Sequence, residues 1–425
     1  MPQPAATLSL RSLFLRVYLP FAGAYFLSYL YRTVNAVVGP VIAADLSLTA
    51  GDLGLLSAAY FIMFAAIQLP LGIALDRFGP RRVQATLLLI AALGAVLFGL
   101  GYSMAELVLG RMLIGLGVSA GLMGSLKVIT LWFPAGQWPL MNGLLMAAGG
   151  LGSLMATAPS QAALRSITWH GLFFWLSAIT LFVAFMVWLV VPEKPRPPVT
   201  DTLATQIQAV GRIMRDGYFW RILPLFTIQQ ASFIGIQTLW IGPWLRDVAG
   251  QDADTRAHTM LLTALAMTFG FLTSGMVSGL LRRAGVSTTA TATAALLLFL
   301  LFFCGLAGAP LGIAPFLPPQ LLWCGYAFIG TYSIIYFPVL TAAFPLALSG
   351  RVTTSTNFIM FTTAFLVQWG IGRILDFWPR TASGGYAPEG YAISFAVLIG
   401  LQALAMIWQV ISRARPMTEQ TDHAG

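Results

Sequence analysis

Twelve apolar stretches, each long enough to cross a lipid bilayer, follow one another along the chain and leave little sequence for anything else. A transmembrane helix needs about 20 apolar residues. Such stretches lie near residues 17–43, 51–74, 82–102, 105–133, 139–164, 169–191, 219–245, 257–281, 288–309, 318–346, 352–375 and 391–412. Charged residues make up only 9% of the chain, whereas soluble globular proteins carry about 25%. The sequence therefore predicts an all-α polytopic membrane protein with twelve transmembrane helices.

The segment between the sixth and seventh stretches differs in composition from the stretches themselves. It begins with a proline-rich run, which favours an extended backbone. Apolar residues then recur at helical spacing and predict an amphipathic surface helix: Leu203, Ile207, Val210 and Met214. We expect an N-terminal six-helix half (1–191), a cytoplasmic linker with an amphipathic helix (192–217), and a C-terminal six-helix half with a cytoplasmic tail (218–425).

A charged loop follows the second apolar stretch, and its glycines and charges stand in a fixed order: Gly72, Asp76, Arg77, Gly79, Arg81 and Arg82. Arginine is costly in hydrocarbon, so the segment is predicted to be a water-exposed loop. Asp76 is expected to accept hydrogen bonds from the N-terminal amides of the next helix, where the helix dipole is positive. The ordered set resembles the signature loop of the major facilitator superfamily. That resemblance implies two pseudo-symmetric six-helix halves, a substrate site between them, and gating by this loop.

Basic residues are distributed unequally between the two sides of the predicted spans. With both termini placed inside, fifteen lysines and arginines fall on the cytoplasmic side, five fall outside and three lie within spans. Cytoplasmic loops of membrane proteins carry such an excess of positive charge. We therefore expect a multi-pass protein of the bacterial inner membrane with both termini in the cytoplasm.

Arg32 lies in the middle of the first predicted span. A charged side chain there costs about 2.5–3.5 kcal/mol on insertion scales and must face a cavity or a partner. Two interpretations are open. Arg32 is either a structural residue bonded to helix carbonyls or to Asn35, or an anion receptor whose planar guanidinium matches a carboxylate or phosphate.

The sequence around Arg32 resembles particular branches of the superfamily. Three patterns resemble the organic-anion branches of the superfamily, which include sugar-phosphate antiporters and sugar-acid symporters: Tyr29-X-X-Arg32, Gly54–Tyr60, and Gln68-X-Pro70-X-Gly72. The resemblance implies that Arg32 binds the acidic group of the substrate, with Tyr29 as its motif partner. Asn35 is a further candidate for the same site.

Two other cations lie in the fourth span. Lys127 either extends to the cytoplasmic headgroups or forms a second cation on the inner side of the central cavity. Arg111 begins an Arg-X-X-X-Gly-X-Gly pattern that resembles the fourth-helix motif of proton-coupled exporters, and it is a candidate for either a structural or a coupling role. Glu106 alone among the acids approaches a membrane position, so it too is a candidate coupling residue. Because a central carboxylate is lacking, the sequence favours exchange or facilitated diffusion over a carboxylate-based proton relay.

Polar and aromatic residues of the later spans are candidates for the wall of the pocket: Gln237, Trp240, Tyr332, Tyr336 and Asn357. Gln237 and Asn357 are preferred because both fall near the middle of a span. Gln237 and Trp240 are three residues apart, and Tyr332 and Tyr336 are four apart, so each pair could share one helix face. The alternative for every one of these residues is a hydrogen bond between helices.

The sequence offers little that would indicate a metal site, a disulfide or a nucleic-acid interface. Cys304 and Cys324 both lie in apolar stretches, and no metal-binding or disulfide spacing occurs. We expect no metal and no cofactor. The net charge is +9, but the basic residues flank apolar spans, so the charge does not indicate nucleic-acid binding.

These observations favour a secondary active or facilitative transporter of a small organic anion, working by alternating access, and the superfamily resemblance implies a monomer. The alternative on the same fold is a multidrug or hydrophobic-compound proton antiporter, supported by Arg111 and the aromatic content. A sensor on this scaffold and a membrane enzyme are weaker interpretations, because the sequence shows neither an output domain nor a catalytic constellation.

Overall fold

The computed structural model describes residues 9–194, 203–313, 316–345, 348–382, 384–414 and 416, and this part of the chain is helical apart from its connecting loops. Eleven helices are long and apolar enough to cross a bilayer, and one bent pair supplies a twelfth span. In chain order the spans are Leu10–Thr33, Ala50–Ala66 with Gln68–Phe78, Pro80–Leu100, Met104–Trp132, Leu140–Ala163, Trp169–Val190, Gly217–Asp247, Ala253–Arg283, Thr288–Leu311, Pro319–Ala342, Ser349–Leu375 and Pro388–Ile411. The predicted all-α membrane fold is confirmed.

The first two spans are each interrupted. The helix Asn35–Asp45 continues the first span after a turn at Val34. The second span bends by 50° between Ala66 and Gln68. Pro70 explains this bend, because its nitrogen has no hydrogen to donate to the carbonyl of Ala66 and its ring crowds that carbonyl.

Successive spans run in opposite directions, which gives the bundle two ends. One end carries the start of the first span, the loop at Gly79, the end of the last span and a helix between the sixth and seventh spans, Leu203–Met214. We call it the linker side. The opposite end is the distal side. It carries the loops that join the first span to the second, the third to the fourth, and so on along the chain. The linker helix buries Ala209 and Ile213, leaves Ile207 exposed and packs against the eleventh span.

Within the N-terminal half, glycines let the fourth span approach its neighbours closely. A Cβ atom on Gly115 would overlap the carbonyl of Tyr60 in the second span. A Cβ atom on Gly117 would overlap the backbone of the third span at Ala91. Small residues have this role in membrane helix bundles because van der Waals packing drives helix association there.

Hydrogen bonds join the two halves at the distal side. Asp376, directly after the eleventh span, accepts hydrogen bonds from the backbone amides of Ala50 and Gly51, both at 2.9 Å. Arg380 donates to the carbonyl of Leu48 at 2.5 Å. The C-terminal half therefore binds the backbone of the loop that joins the first and second spans.

Close backbone contacts and one ion pair reinforce this distal junction. A Cβ atom on Gly54 would lie 3.0 Å from the carbonyl oxygen of Gln368, and a Cβ atom on Gly372 would overlap the carbonyl of Ala50. Arg165 and Asp254 form an exposed ion pair between the fifth-to-sixth loop and the eighth span. The distal ends of the halves are thus in direct contact.

Candidate functional site

A cavity of about 620 Å³ lies between the halves and extends from the middle of the bundle toward the linker side. Its inner end is lined by Arg32 and Tyr29 of the first span and by Asn357 of the eleventh. Its other end reaches Arg282 and Thr288, at the linker-side ends of the eighth and ninth spans. The cavity is closed toward the distal side by the contacts between the halves.

Arg32 is 8% exposed, and aromatic rings surround its guanidinium group. The guanidinium carbon lies 4.8 Å from the ring centroid of Tyr29, 5.3 Å from those of Phe64 and Phe361, and 6.0 Å from that of Tyr60. Its Nε has no hydrogen-bond partner, and within the described ranges no carboxylate lies within 4.0 Å of it. The faces of aromatic rings attract a cation, but they leave its charge uncompensated.

Three of the predicted site residues lie away from this cavity. Asn35 is buried and donates to the hydroxyl of Ser57 at 2.8 Å, so it joins the first and second spans. Gln237 donates to the sulfur of Met267 at 3.2 Å. Trp240 donates to a backbone carbonyl of the eleventh span at 3.0 Å. Gln237 and Trp240 make the contacts between helices that the alternative interpretation expected, whereas Asn35 bonds Ser57 and not Arg32, the partner expected for it.

The two predicted tyrosines of the tenth span also lie outside the cavity wall. Tyr332 belongs to a 3₁₀ segment, Thr331–Ile335, and its hydroxyl lies 3.3 Å from that of Thr273. Tyr336 begins the following α-helix and is 1% exposed. The tighter 3₁₀ turn changes the angular spacing of side chains. The cavity wall is formed instead by their neighbours, Ile335 and Phe337.

Lys127 does not line the Arg32 cavity. Its ammonium group forms an ion pair with Asp76 at the linker-side end of the second span. Both residues line a neighbouring cavity of about 570 Å³, which also contacts the linker helix. The sequence predicted that Asp76 caps the next helix. In the structure Gly79 precedes the third span, and no side chain caps that helix.

The remaining residues of the signature loop organise the linker side of the N-terminal half. Gly79 has a φ of 80°, a conformation that favours glycine, and it lets the chain turn between the second and third spans. Arg81 donates to the carbonyl of Trp188 at 2.9 and 2.5 Å. Arg82 forms a 3.0 Å ion pair with Glu193, just after the sixth span. These contacts hold the loop to the start of the linker.

Gly72 and Arg77 occupy different surroundings in the second span. A Cβ atom on Gly72 would lie 3.9 Å from the methyl group of Thr354, so the span passes close to the C-terminal half there. The guanidinium of Arg77 lies 5.7 Å from the ring of Phe78.

The two candidate coupling residues have structural contacts. Arg111 is 1% exposed and donates to the carbonyl of Tyr31 at 3.1 Å, which joins the fourth span to the first. Glu106 is exposed at the distal end of the fourth span. It accepts hydrogen bonds from the backbone amides of Tyr102 and Ser103, at 2.9 and 3.0 Å, in a capping box. Neither residue lines the central cavity.

Several polar residues that the sequence analysis did not select line the cavity: Ser28, Gln68, Gln230 and Ser274. Gln68 is 1% exposed and donates to the carbonyl of Phe64 at 3.2 Å, while its Oε1 has no partner. Its place beside a proline within an apolar span was the available signal, because a helix break leaves polar groups that a cavity can use.

The family model of the Major Facilitator Superfamily matches residues 21–369. The chain belongs to the Major Facilitator Superfamily. It is therefore a transporter and not an enzyme, as the signature loop predicted.

The chain is similar to curated transporters of several kinds. A probable sulfoacetate transporter of Cupriavidus necator is 24% identical over 306 residues, 68% of this chain and 69% of that protein. A hexuronate transporter of Escherichia coli is 26% identical over 278 residues, 60% of this chain and 63% of that protein. An efflux pump of Aspergillus niger is 28% identical over 238 residues, 51% of this chain and 45% of that protein. The predicted resemblance to organic-anion transporters is confirmed, although the last two matches span less than two thirds of those relatives.

Solved structures support the fold. A bacterial homologue of the human lysosomal transporter Spinster, in an inward-facing and unoccupied conformation, superposes with a TM-score of 0.74. It is 18% identical, and the match covers 96% of this chain and 98% of that one. At this identity the likeness establishes the major facilitator fold alone.

Proposed function

We propose that this transporter carries a small organic anion across the bacterial inner membrane by alternating access, as a secondary active or facilitative transporter. The observation that supports this proposal is Arg32, a buried cation on the wall of the central cavity with no carboxylate partner in the described chain. Leaving a buried charge unpaired is unfavourable. An anionic substrate would pair with it.

The guanidinium also fits the geometry of such a substrate. Its planar set of donors matches a carboxylate or phosphate in a bidentate arrangement. Tyr29 lies against the guanidinium, and Asn357 offers an amide from the opposite half. An anion bound between them would contact both halves, so its binding would be coupled to their relative movement.

The distribution of basic residues supports a cytoplasmic location for the linker side. We propose that residues 1–191 and 218–425 rock about the central site as two units, joined by the linker at 192–217, in a monomer within the lipid bilayer. With the distal side closed, the Arg32 cavity would then exchange substrate with the cytoplasm.

Coupling by a carboxylate in the cavity is not supported. The residues that line it include arginine, serine, glutamine and asparagine, and within the described chain they include no aspartate or glutamate. Glu106 lies at the distal surface and caps a helix. We therefore favour exchange or facilitated diffusion, in which the substrate itself neutralises Arg32.

A second candidate is an exporter of hydrophobic compounds. The cavity is lined largely by apolar and aromatic side chains, including Phe64, Phe271, Phe337 and Phe361. An efflux pump is also among the relatives. The uncompensated Arg32 argues against cationic drugs, because they would be repelled.

A thermal-shift screen of the purified protein separates the two candidates. Anionic metabolites and lipophilic cations are tested on wild type, Arg32→Gln and Arg32→Lys. A ligand at about 100 times its dissociation constant adds about 2.7 kcal/mol to the unfolding free energy. The anion proposal predicts a shift with one class of anion, lost in Arg32→Gln and partly retained in Arg32→Lys.

Arg111→Gln is the matched control, because Arg111 is also buried but lies outside the cavity. This variant is expected to lower the melting temperature while keeping the shift caused by the anion. Stabilisation by lipophilic cations and not by anions would instead support the exporter.

A further inference from the structure

We infer that the Arg32 site selects anions with a single negative charge, and that Asp76 sets this limit by holding Lys127 in an ion pair. The inference rests on the proposed function and deepens it by naming the charge class of the substrate. It also assigns a specificity role to a residue pair outside the substrate cavity.

The charges around the central cavity support this selection. Arg32 is the cation at its inner end, and Arg282 is the other charged residue among the described residues that line it. Arg282 is exposed at the linker-side mouth, next to the end of the eighth span. Water and salt screen an exposed charge, so Arg282 contributes little to an anion held at Arg32.

Lys127 is positioned to be a second cation. The cavity that it lines shares Met123, Leu126 and Thr353 with the Arg32 cavity, so the two spaces adjoin. In the structure, however, its ammonium group is bound by Asp76. The pair is electrically neutral and offers no net positive charge to a ligand.

Arg351 and the linker helix complete the neighbouring cavity. Arg351 lies at the start of the eleventh span, at its linker-side end, and it too has an interaction partner. Among the described residues, Lys127 is paired with Asp76 and Arg282 is exposed, so neither offers the second negative charge of a dianion at Arg32 a buried, uncompensated cation. A buried charge without a partner is unfavourable, so a monoanion of the same shape is preferred.

The experiment compares anions that match in shape and differ in charge. The probes are gluconate and glucarate, monomethyl succinate and succinate, and benzoate and phthalate. Their dissociation constants are measured with the full-length protein in detergent by thermal shift and isothermal titration calorimetry. For each pair that binds, wild type is expected to prefer the monoanion by about tenfold or more, equivalent to about 1.4 kcal/mol.

A cycle of variants tests the role of the ion pair. Asp76→Asn frees the charge of Lys127 and is expected to increase the affinity for the dianion about tenfold relative to the monoanion. The double variant Asp76→Asn with Lys127→Gln removes that charge and is expected to restore the wild-type ratio. Using the ratio cancels any change in conformational equilibrium that alters the affinity for both anions equally.

The outcomes separate this inference from the function on which it rests. Arg32-dependent binding that favours the dianion, or an Asp76→Asn variant with an unchanged ratio, would overturn the inference alone. If no anion binds wild type, or if Arg32→Gln binds as wild type does, the proposed function itself fails and the inference falls with it.

Discussion

The two ends of the bundle are built differently. At the distal side, Asp376 and Arg380 of the C-terminal half bind backbone amides and a carbonyl of the N-terminal half. At the linker side, the ion pair of Asp76 with Lys127 lies within the N-terminal half, and the central cavity extends between the halves. The distal end therefore joins the halves, whereas the linker-side ion pair organises one of them.

This difference identifies the contacts that stabilise the closed state of the distal side. Asp376 satisfies two amides at the N-terminus of the second span, where the helix dipole is positive. Opening the distal side must expose those amides and separate closely packed backbones. Opening it is therefore the step that mutations at the distal junction should change most.

The largest expected effect comes from the glycine contact. Gly372→Val places methyl groups against the backbone of the second span at Ala50. Overpacking of this kind costs about 1–3 kcal/mol, so the variant should unfold at a lower temperature and favour separated distal ends. Gly370→Val is the matched control in the same helix, because a Cβ atom there meets nothing within 4 Å.

The distance between the distal ends is measured by electron paramagnetic resonance with spin labels. Cysteines replace the exposed residues Tyr102 and Phe377, one in each half, in a background without Cys304 and Cys324. Gly372→Val should lengthen the distance and Gly370→Val should leave it unchanged. Equal distances in the two variants would show that close packing does not hold the distal side shut.

A smaller effect is expected from Asp376→Ala. The variant loses two hydrogen bonds from backbone amides, but the Asp376 side chain is 23% exposed and water can take its place, so the net loss is about 1 kcal/mol in total. The fraction of molecules with separated distal ends should rise, as measured with the same spin labels. Asp252→Ala is the control, because Asp252 caps its own helix on the same side of the bundle. A similar rise in that control would mean that lost helix capping alone explains the result.

The smallest effect is expected from the exposed pair of Arg165 with Asp254. Surface ion pairs contribute about 0–1 kcal/mol and are screened by salt. Arg165→Gln should change the melting temperature by no more than a degree or two, and the difference should disappear at high salt. A large change that persists in high salt would place this pair among the main contacts between the halves.

The sequence predicted the spans because hydrophobic length alone determines which segments enter a bilayer. It also identified Arg32, since a charge in the middle of a span has few explanations. How deep the cavity reaches along the later spans was harder to predict. Gln230 lines the cavity and Gln237 does not, although seven residues place them on one helix face, because Gln237 lies about two turns farther toward the distal side, where the halves are in contact.

The position of Lys127 could not be predicted for a different reason. Its partner, Asp76, lies 51 residues earlier in the chain, on another span. Periodicity within one helix carries no information about such a pairing. The same limit applies to Asp376, whose amide partners lie more than 300 residues away, at separations of 326 and 325.

The most direct test of the account is counterflow in liposomes that contain the purified transporter. Liposomes are loaded with the anion that stabilises the protein best, and uptake of the same anion in labelled form is followed for wild type, Arg32→Gln and Arg32→Lys. We expect rapid uptake by wild type, loss to the level of empty liposomes in Arg32→Gln and partial uptake in Arg32→Lys. Uptake by Arg32→Gln at the wild-type rate would contradict the account, since Arg32 would then be structural and not the anion site.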